Sequence, residues 1–173
     1  HNRCRRQRQM CIRDRRMGVI VLNKGDGIQS SRDKLLASQK MNEGGVPIPT
    51  TAQVGTWQDT RRAVSRVGGT PCVIKTNEGT HGSGVFLAHT EQQARQLVYQ
   101  MLERGLRPLV QEYIRESHGQ DIRAFVVGGK VVASMRRKAK GSEFRSNFHL
   151  GGEVEKLSIT GEYAEIALSL IHI

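Results

Sequence analysis

The chain has 173 residues, 37% of them hydrophobic and 25% charged, with a formal net charge of +11. That is enough for one domain or one and a half with an ordinary core, which suits a globular enzyme or binding module. No apolar run approaches the roughly 20 residues that a membrane span needs, and three cysteines without ligand spacing supply neither a disulfide framework nor a metal cluster.

The charge is unevenly placed. Residues 1–16, HNRCRRQRQMCIRDRR, hold seven arginines and one aspartate, net +6, which leaves +5 for the other 157 residues. This leader lacks apolar periodicity and cannot order itself by burial. It reads as a foreign, cloning-derived leader, with an RNA-binding arm as the alternative. Gly18–Asn23, GVIVLN, reads as a short buried strand followed by the turn KGDG. Ser30 or Ser31 is predicted to cap a helix running through Arg32–Glu43, stopped by Gly44-Gly45 with Pro47 and Pro49 beyond. Pro47–Val54 is an extended connection into a strand, and a polar helix follows around Asp59–Val67, closed by Gly68-Gly69.

Pro71–Lys75 and Gly84–Ala88 read as strands flanking a glycine-rich loop. The clearest helix starts at Thr90, where Thr90 and Gln93 have capping-box spacing. Ala94, Leu97, Val98, Met101 and Leu102 then form one apolar stripe before the stop at Gly105. Pro108–Ile114, Asp121–Val127 and Lys130–Ala139 are strands, the last two joined by Gly128-Gly129 in a tight antiparallel hairpin. From Gly141 to Leu157 the pattern is loop-like, and a last helix starts near Thr160. The order is mixed α+β with adjacent antiparallel strands, unlike a doubly wound sheet.

The loop NEGTHGSG places Gly79, Gly82 and Gly84 within six positions. No Gly-Lys-Ser/Thr follows, so it is no Walker A loop, and a strand follows where a dinucleotide fingerprint needs a helix. Two readings stay open: a cradle of backbone N–H groups for an anion, or a mobile hairpin tip. Lys75 ends the incoming strand, where an ammonium group can pair with a phosphate; a solvated strand-end lysine is the alternative. Glu112 and Tyr113 close an apolar strand, and Asp121 follows nine residues after Glu112, a carboxylate suited to ribose hydroxyls. Arg145, Ser146 and Asn147 sit in a polar loop of a kind that binds oxyanions, or is simply polar. His81 and His149 are given no proton-transfer role.

Taken together and in order, LNKGDGIQSSRDKLLASQ, PCVIKTNEGTHGSGVFLAHTEQQA and LVQEYIRESHGQDIRAFVVGGKVVASMRRKAKGSEFRSNFHLGG closely resemble the RimK-type ATP-grasp ligases, over roughly Met17–Ala167. The resemblance implies a partial ATP-grasp fold. Its parts would be a basic leader over 1–16, a remnant of an N-terminal domain and the start of the ATP-grasp region over 17–66, a glycine-loop subdomain over 67–112, and an incomplete C-terminal subdomain over 113–173. It also implies that Lys34 and Lys75 contact nucleotide phosphates and that Gly79, Gly82 and Gly84 belong to a loop closing over them. Glu112 and Tyr113 would face the adenine, Asp121 the ribose, and Arg145, Ser146 and Asn147 the reacting phosphate.

The implied cofactors are ATP with Mg²⁺ or Mn²⁺, and the implied metal ligands lie beyond Ile173. The implied chemistry is cytoplasmic addition of glutamate to the C-terminus of a small-subunit ribosomal protein through an acyl phosphate. Lys75 and Arg145 would neutralise developing charge. A fragment without metal ligands is expected to be inactive. Related readings are an ATP-grasp ligase acting on an amino-acid carrier protein or a small cofactor and, from another class, a non-catalytic basic RNA-binding protein. No membrane partner is expected, and nucleic acid only through the leader.

Overall fold

The computed structural model describes residues 12–21, 25–78, 84–141, 144–146 and 151–170. After a helical turn over 12–16, residues 18–21 carry no regular structure, and Val19 and Ile20 are exposed. The strand expected at Gly18–Asn23 is therefore absent over 18–21. Its apolar side chains have no sheet partner among the described residues, and an isolated strand cannot satisfy its backbone.

The helix expected over 32–43 is α2 (Lys34–Glu43), and ahead of it a separate helix, α1 (Gly25–Arg32), takes up residues 25–27 of the expected turn KGDG. Ser30 and Ser31 lie inside α1, and the cap of α2 is Asp33, whose carboxylate accepts the Leu36 N–H at 2.9 Å. Tertiary contact explains the difference. Asp33 forms a β-bridge with Glu78. Asn77 accepts the Lys34 N–H through its carbonyl at 3.1 Å and the Leu35 N–H through its side chain at 2.9 Å. The first free N–H groups of α2 are thus satisfied by the distant Asn77 and not by Ser30 or Ser31, which lie inside α1.

Next come β1 (Thr51–Gln53), a 3₁₀ turn at Trp57–Asp59, α3 (Thr60–Arg66), β2 (Cys72–Thr76), β3 (Val85–Ala88), α4 (Glu91–Glu103) and β4 (Pro108–Glu112). The four strands form one antiparallel sheet in the order β1-β4-β2-β3. Strand alternation sends Cys72 and Ile74 into a core shared with Ala63, Val64 and Val67 around α3 and with Ala94, Val98 and Met101 of α4. Each fully buried Ile or Val here stabilises the fold by roughly 1.5–3 kcal/mol. Val73 and Lys75 point the other way. The α4 cap forms as its spacing suggests, with Thr90 accepting from the Gln93 N–H at 3.2 Å. The Gln93 side chain reaches one residue further back than a capping box requires, to the His89 N–H.

A second antiparallel sheet, in the order β5-β6-β7, contains β5 (Gln120–Val127), β6 (Lys130–Lys138) and β7 (Glu153–Lys156). Gly128 and Gly129, at φ +57° and +73°, supply the two left-handed residues that a tight hairpin needs. β7 corrects the loop expected through Leu157. Its sequence EVEK has no apolar face to betray a strand, and its pairing is favoured by Glu155, 3.8 Å from Arg136 and 3.3 Å from Lys138 on β6. The last helix, α5 (Glu162–Ser169), packs on β5 and β6.

Candidate functional site

Antiparallel pairing puts Lys75 opposite Leu109 and Val73 opposite Gln111, so Lys75 and Gln111 share the sheet face away from the α3–α4 core, one step apart diagonally. The Lys75 ammonium donates to Gln111 Oε1 at 2.6 Å. Burial pushes the Lys75 pKa down from the ordinary 10.5 to about 8, and the nearby Lys34 charge pushes in the same direction.

Lys34 opens α2, and its ammonium donates to the Asn77 carbonyl at 3.3 Å. Burial lowers its pKa too, opposed by the carboxylates of Asp33 and Glu78. Two partly buried cations on different elements thus converge, and the Lys34 charge raises the cost of keeping Lys75 protonated, an arrangement that a bound anion would relieve.

Gly84 immediately precedes β3 beside this pair. At φ +75° it occupies a conformation that L side chains rarely adopt, and a Cβ there would lie 2.9 Å from Thr76 Oγ1. The Thr76 N–H donates to the Gly84 carbonyl at 3.0 Å, which closes the base of the glycine loop. Gly79 and Gly82 lie outside the described residues, as do Asn147, His81 and His149.

Glu112 exchanges backbone and side-chain bonds with Thr50: its N–H donates to the Thr50 carbonyl at 2.9 Å and its carboxylate accepts the Thr50 N–H at 3.0 Å. Tyr113 follows, with its hydroxyl bonded to His118 Nδ1 and the two rings edge to face at 6.1 Å. These residues begin the connection from the first sheet to the second.

On the second sheet, Asp121 stands directly opposite Arg137. Both Asp121 oxygens accept from the guanidinium, Oδ1 from Nε at 2.7 Å and Oδ2 from Nη2. Burial works against the Asp121 charge, but hydrogen bonds from Arg137 and Ser146 and the charges of Arg137 and Arg123 outweigh it, holding the carboxyl below its usual range. Asp121 and Ser146 are therefore in contact, as two expected site residues drawn from separate segments. Arg145 stacks 5.8 Å from the Phe144 ring centre.

The expected residues fall into two groups, Lys34, Lys75 and Gly84 on one side and Asp121 with Ser146 on the other, with Glu112 and Tyr113 on the chain between. The residues that hold them were not evident from the sequence. Asn77 is buried yet reads as one more polar loop residue, and Arg137 is buried in a run of basic residues that reads as solvated. Gln111 and Thr51 gain meaning only from strand register. Cys72 is buried with its thiol pushed up to about 11 by that burial, so it is an inert core residue. Two surface depressions lie elsewhere. One, of about 630 Å³, is lined by Arg61, Arg62 and Arg66; another, of about 430 Å³, lies between β5 and α5. Among the described residues no three His, Cys, Asp or Glu side chains are grouped to hold a metal ion.

Residues 31–173 match the family model of the RimK-like ATP-grasp domain. The chain belongs to the RimK-like ATP-grasp family. Curated relatives agree with this RimK-like assignment. A probable alpha-L-glutamate ligase of Methanococcoides burtonii is 45% identical over 88% of this chain and 51% of its own length. Probable alpha-L-glutamate ligase 1 of Shewanella sp. is 45% identical over 90% of this chain and 52% of its own length. The chain thus spans about half the length of these relatives. The ATP-grasp ligase PsnB, solved with a minimal precursor, superposes with a TM-score of 0.69 at 17% identity, covering 99% of this chain and 52% of that one. This RimK-like chain therefore carries an ATP-grasp fold in part, as its motifs imply. Among the described residues no helix is long and apolar enough to cross a membrane.

Proposed function

We propose that this chain is the nucleotide-binding part of a cytoplasmic carboxylate–amine ligase that uses ATP to join glutamate to a protein carboxylate. The convergence of Lys34 and Lys75 carries the reading: two partly desolvated ammonium groups from different elements, beside a glycine-rich turn, suit a polyphosphate. Gly79, Gly82 and Gly84 would fold over that polyphosphate, and Lys34 and Lys75 would hold it. Glu112 and Tyr113 would face the adenine, and Asp121, fixed by Arg137, the ribose. Arg145, Ser146 and Asn147 would meet the phosphoryl group in flight. In this arrangement 67–112, joined by Lys34 from the preceding segment, and 113–173 would contribute opposite walls.

The proposed reaction transfers the terminal phosphoryl group of ATP to a carboxylate oxygen, releasing ADP. The amine of glutamate then attacks the acyl carbon, the phosphate leaves, and an amide forms with loss of the amine's proton. Lys75 and Arg145 would act by offsetting charge on the transferring group, which positioned cations do well in a water-poor site. PsnB has been solved with Mg and ADP, and Mg²⁺, or Mn²⁺ in its place, is the proposed companion of ATP. The described residues offer it no three-ligand cluster, so no step here is assigned to the ion.

The names of the relatives favour glutamate as the amine. The precursor in the PsnB structure favours a peptide or protein as acceptor, and the C-terminus of a small-subunit ribosomal protein is the specific acceptor proposed. Calorimetric titration with ATP, with and without Mg²⁺, tests the site. Lys75→Ala is expected to weaken affinity at least tenfold; unchanged affinity would remove Lys75 from the phosphate site and the reading with it.

A further inference from the structure

Resting on the phosphate role proposed for Lys75, we infer that Gln111 and Thr51 are positioning residues that aim its ammonium through a one-way hydrogen-bond chain across three strands. The Lys75 ammonium donates to Gln111 Oε1 at 2.6 Å. Gln111 Nε2 donates to Thr51 Oγ1 at 2.6 Å. The Thr51 hydroxyl donates to the Pro49 carbonyl at 2.9 Å. Chemistry fixes the polarity of every link. An ammonium group can only donate, so the Gln111 atom facing it is the carbonyl oxygen. The amide nitrogen must then face Thr51, whose oxygen accepts and whose proton goes to a carbonyl that can only accept.

Sheet register makes the chain possible. Gln111 pairs directly with both Thr51 on β1 and Val73 on β2, so all three side chains stand on the Lys75 face. Each link is part-buried and spans 36 or 60 residues of sequence, apart from the last, which is local.

The arrangement commits one of the three ammonium protons of Lys75 and thereby fixes the direction of the others. A lysine on four rotatable bonds loses much freedom when it grips a phosphate. A partner that holds it beforehand reduces that loss, which is preorganisation. Among the described residues, the charged group that shifts Lys75 is Lys34 from α2, itself flanked by Asp33 and Glu78.

The test uses the whole chain with five variants: Lys75→Ala, Gln111→Met, Thr51→Val, Thr51→Ser and the Gln111→Met/Thr51→Val double. One readout is ATP affinity. A second is the pH dependence of acetylation at Lys75, followed by mass spectrometry, and thermal melting checks folding. Gln111→Met is expected to weaken ATP about tenfold and to move the acetylation midpoint to lower pH, since the ammonium loses its acceptor. Thr51→Val is expected to do the same to a lesser degree, about threefold in affinity, while Thr51→Ser, which keeps the hydroxyl, matches the parent. In the double variant the Thr51 effect should vanish, because both residues act through one link.

If Thr51→Val and Gln111→Met fold and leave both readouts unchanged while Lys75→Ala abolishes binding, the inference is overturned and the phosphate reading stands. An unchanged affinity in Lys75→Ala overturns the phosphate reading instead, and the acetylation midpoint alone then decides the relay. Fully additive effects in the double variant also count against it.

Discussion

Lys75 carries a cost that the fold tolerates. Its pKa falls from 10.5 to about 8 on folding, chiefly through burial and secondly through Lys34, so the unfolded chain binds more protons than the folded one between these values. Stability contributed by this group therefore rises as pH climbs from about 8 towards 10.5 and is lowest below 8. Lys75→Met is expected to stabilise the chain at neutral pH by up to roughly 3 kcal/mol, a gain that shrinks at alkaline pH. Urea denaturation at two pH values measures it. Asp121 behaves in the opposite sense. Its carboxyl is held below the usual range, so its contribution is present above the unfolded carboxylate pKa and is lost as pH falls through the folded one. The Arg137 side chain is only 10% exposed but that of Asp121 is 39% exposed, which screens the pair. Arg137→Met is expected to cost about 1–2 kcal/mol, and the deficit should disappear in acid, where Asp121 is protonated in both forms.

At the scale of the elements, the turn into β3 is the most constrained piece of the glycine loop that the structure describes. Gly84→Ala would place a methyl 2.9 Å from Thr76 Oγ1 and 3.1 Å from Thr76 Cγ2, at φ +75°. Backbone conformation alone makes this cost about 1–2 kcal/mol, with the clash added. Repeating the substitution in a Thr76→Ala background should recover the clash and leave the backbone component, a difference readable in thermal melts. Such elements divide sharply in how well the sequence announces them. α4 is legible to the residue, because its cap, apolar stripe and glycine stop are all local. β2, β4 and the Gly128-Gly129 hairpin are legible to within one or two residues at their ends. The strand expected at Gly18–Asn23 fails over 18–21 because an apolar run says nothing about whether a partner strand is present. β7 is invisible because its charges find Arg136 and Lys138 only once β6 is beside it. The start of α2 was misread for the same reason: Asp33 and Asn77 are 44 positions apart in sequence yet share one cap. Within the site, Lys75, Gly84 and Asp121 stand out by residue type, whereas Gln111, Thr51 and Arg137 depend on register, which no single strand reveals.

Over the whole molecule, burial is distributed unequally between the two sheets. The first packs against α3 and α4, with Cys72, Ile74, Val98 and Val110 essentially inaccessible. The second leaves Phe125 64%, Val127 55% and Val132 57% exposed and receives cover from α5 on part of its surface. Apolar burial is the main favourable contribution to folding, so the two sheets should open independently, with the second needing less free energy. Amide hydrogen exchange should show β2 and β4 protected close to the global limit, while β5 to β7 exchange through local opening at rates at least about tenfold faster. Under the proposed function the two sheets are also the two walls of one nucleotide site, with Lys34 and Lys75 on one wall and Asp121 on the other. On that reading ATP would bind only when both walls are formed, and at about 100 times its Kd it should add about 2.7 kcal/mol to that state. Global unfolding and opening of the second sheet both break such a site, so exchange should slow by up to about a hundredfold in β2 and β4 as well as in β5 to β7. Slowing confined to β2 and β4, with none in β5 to β7, would place the nucleotide on the first sheet alone and detach Asp121 from the site.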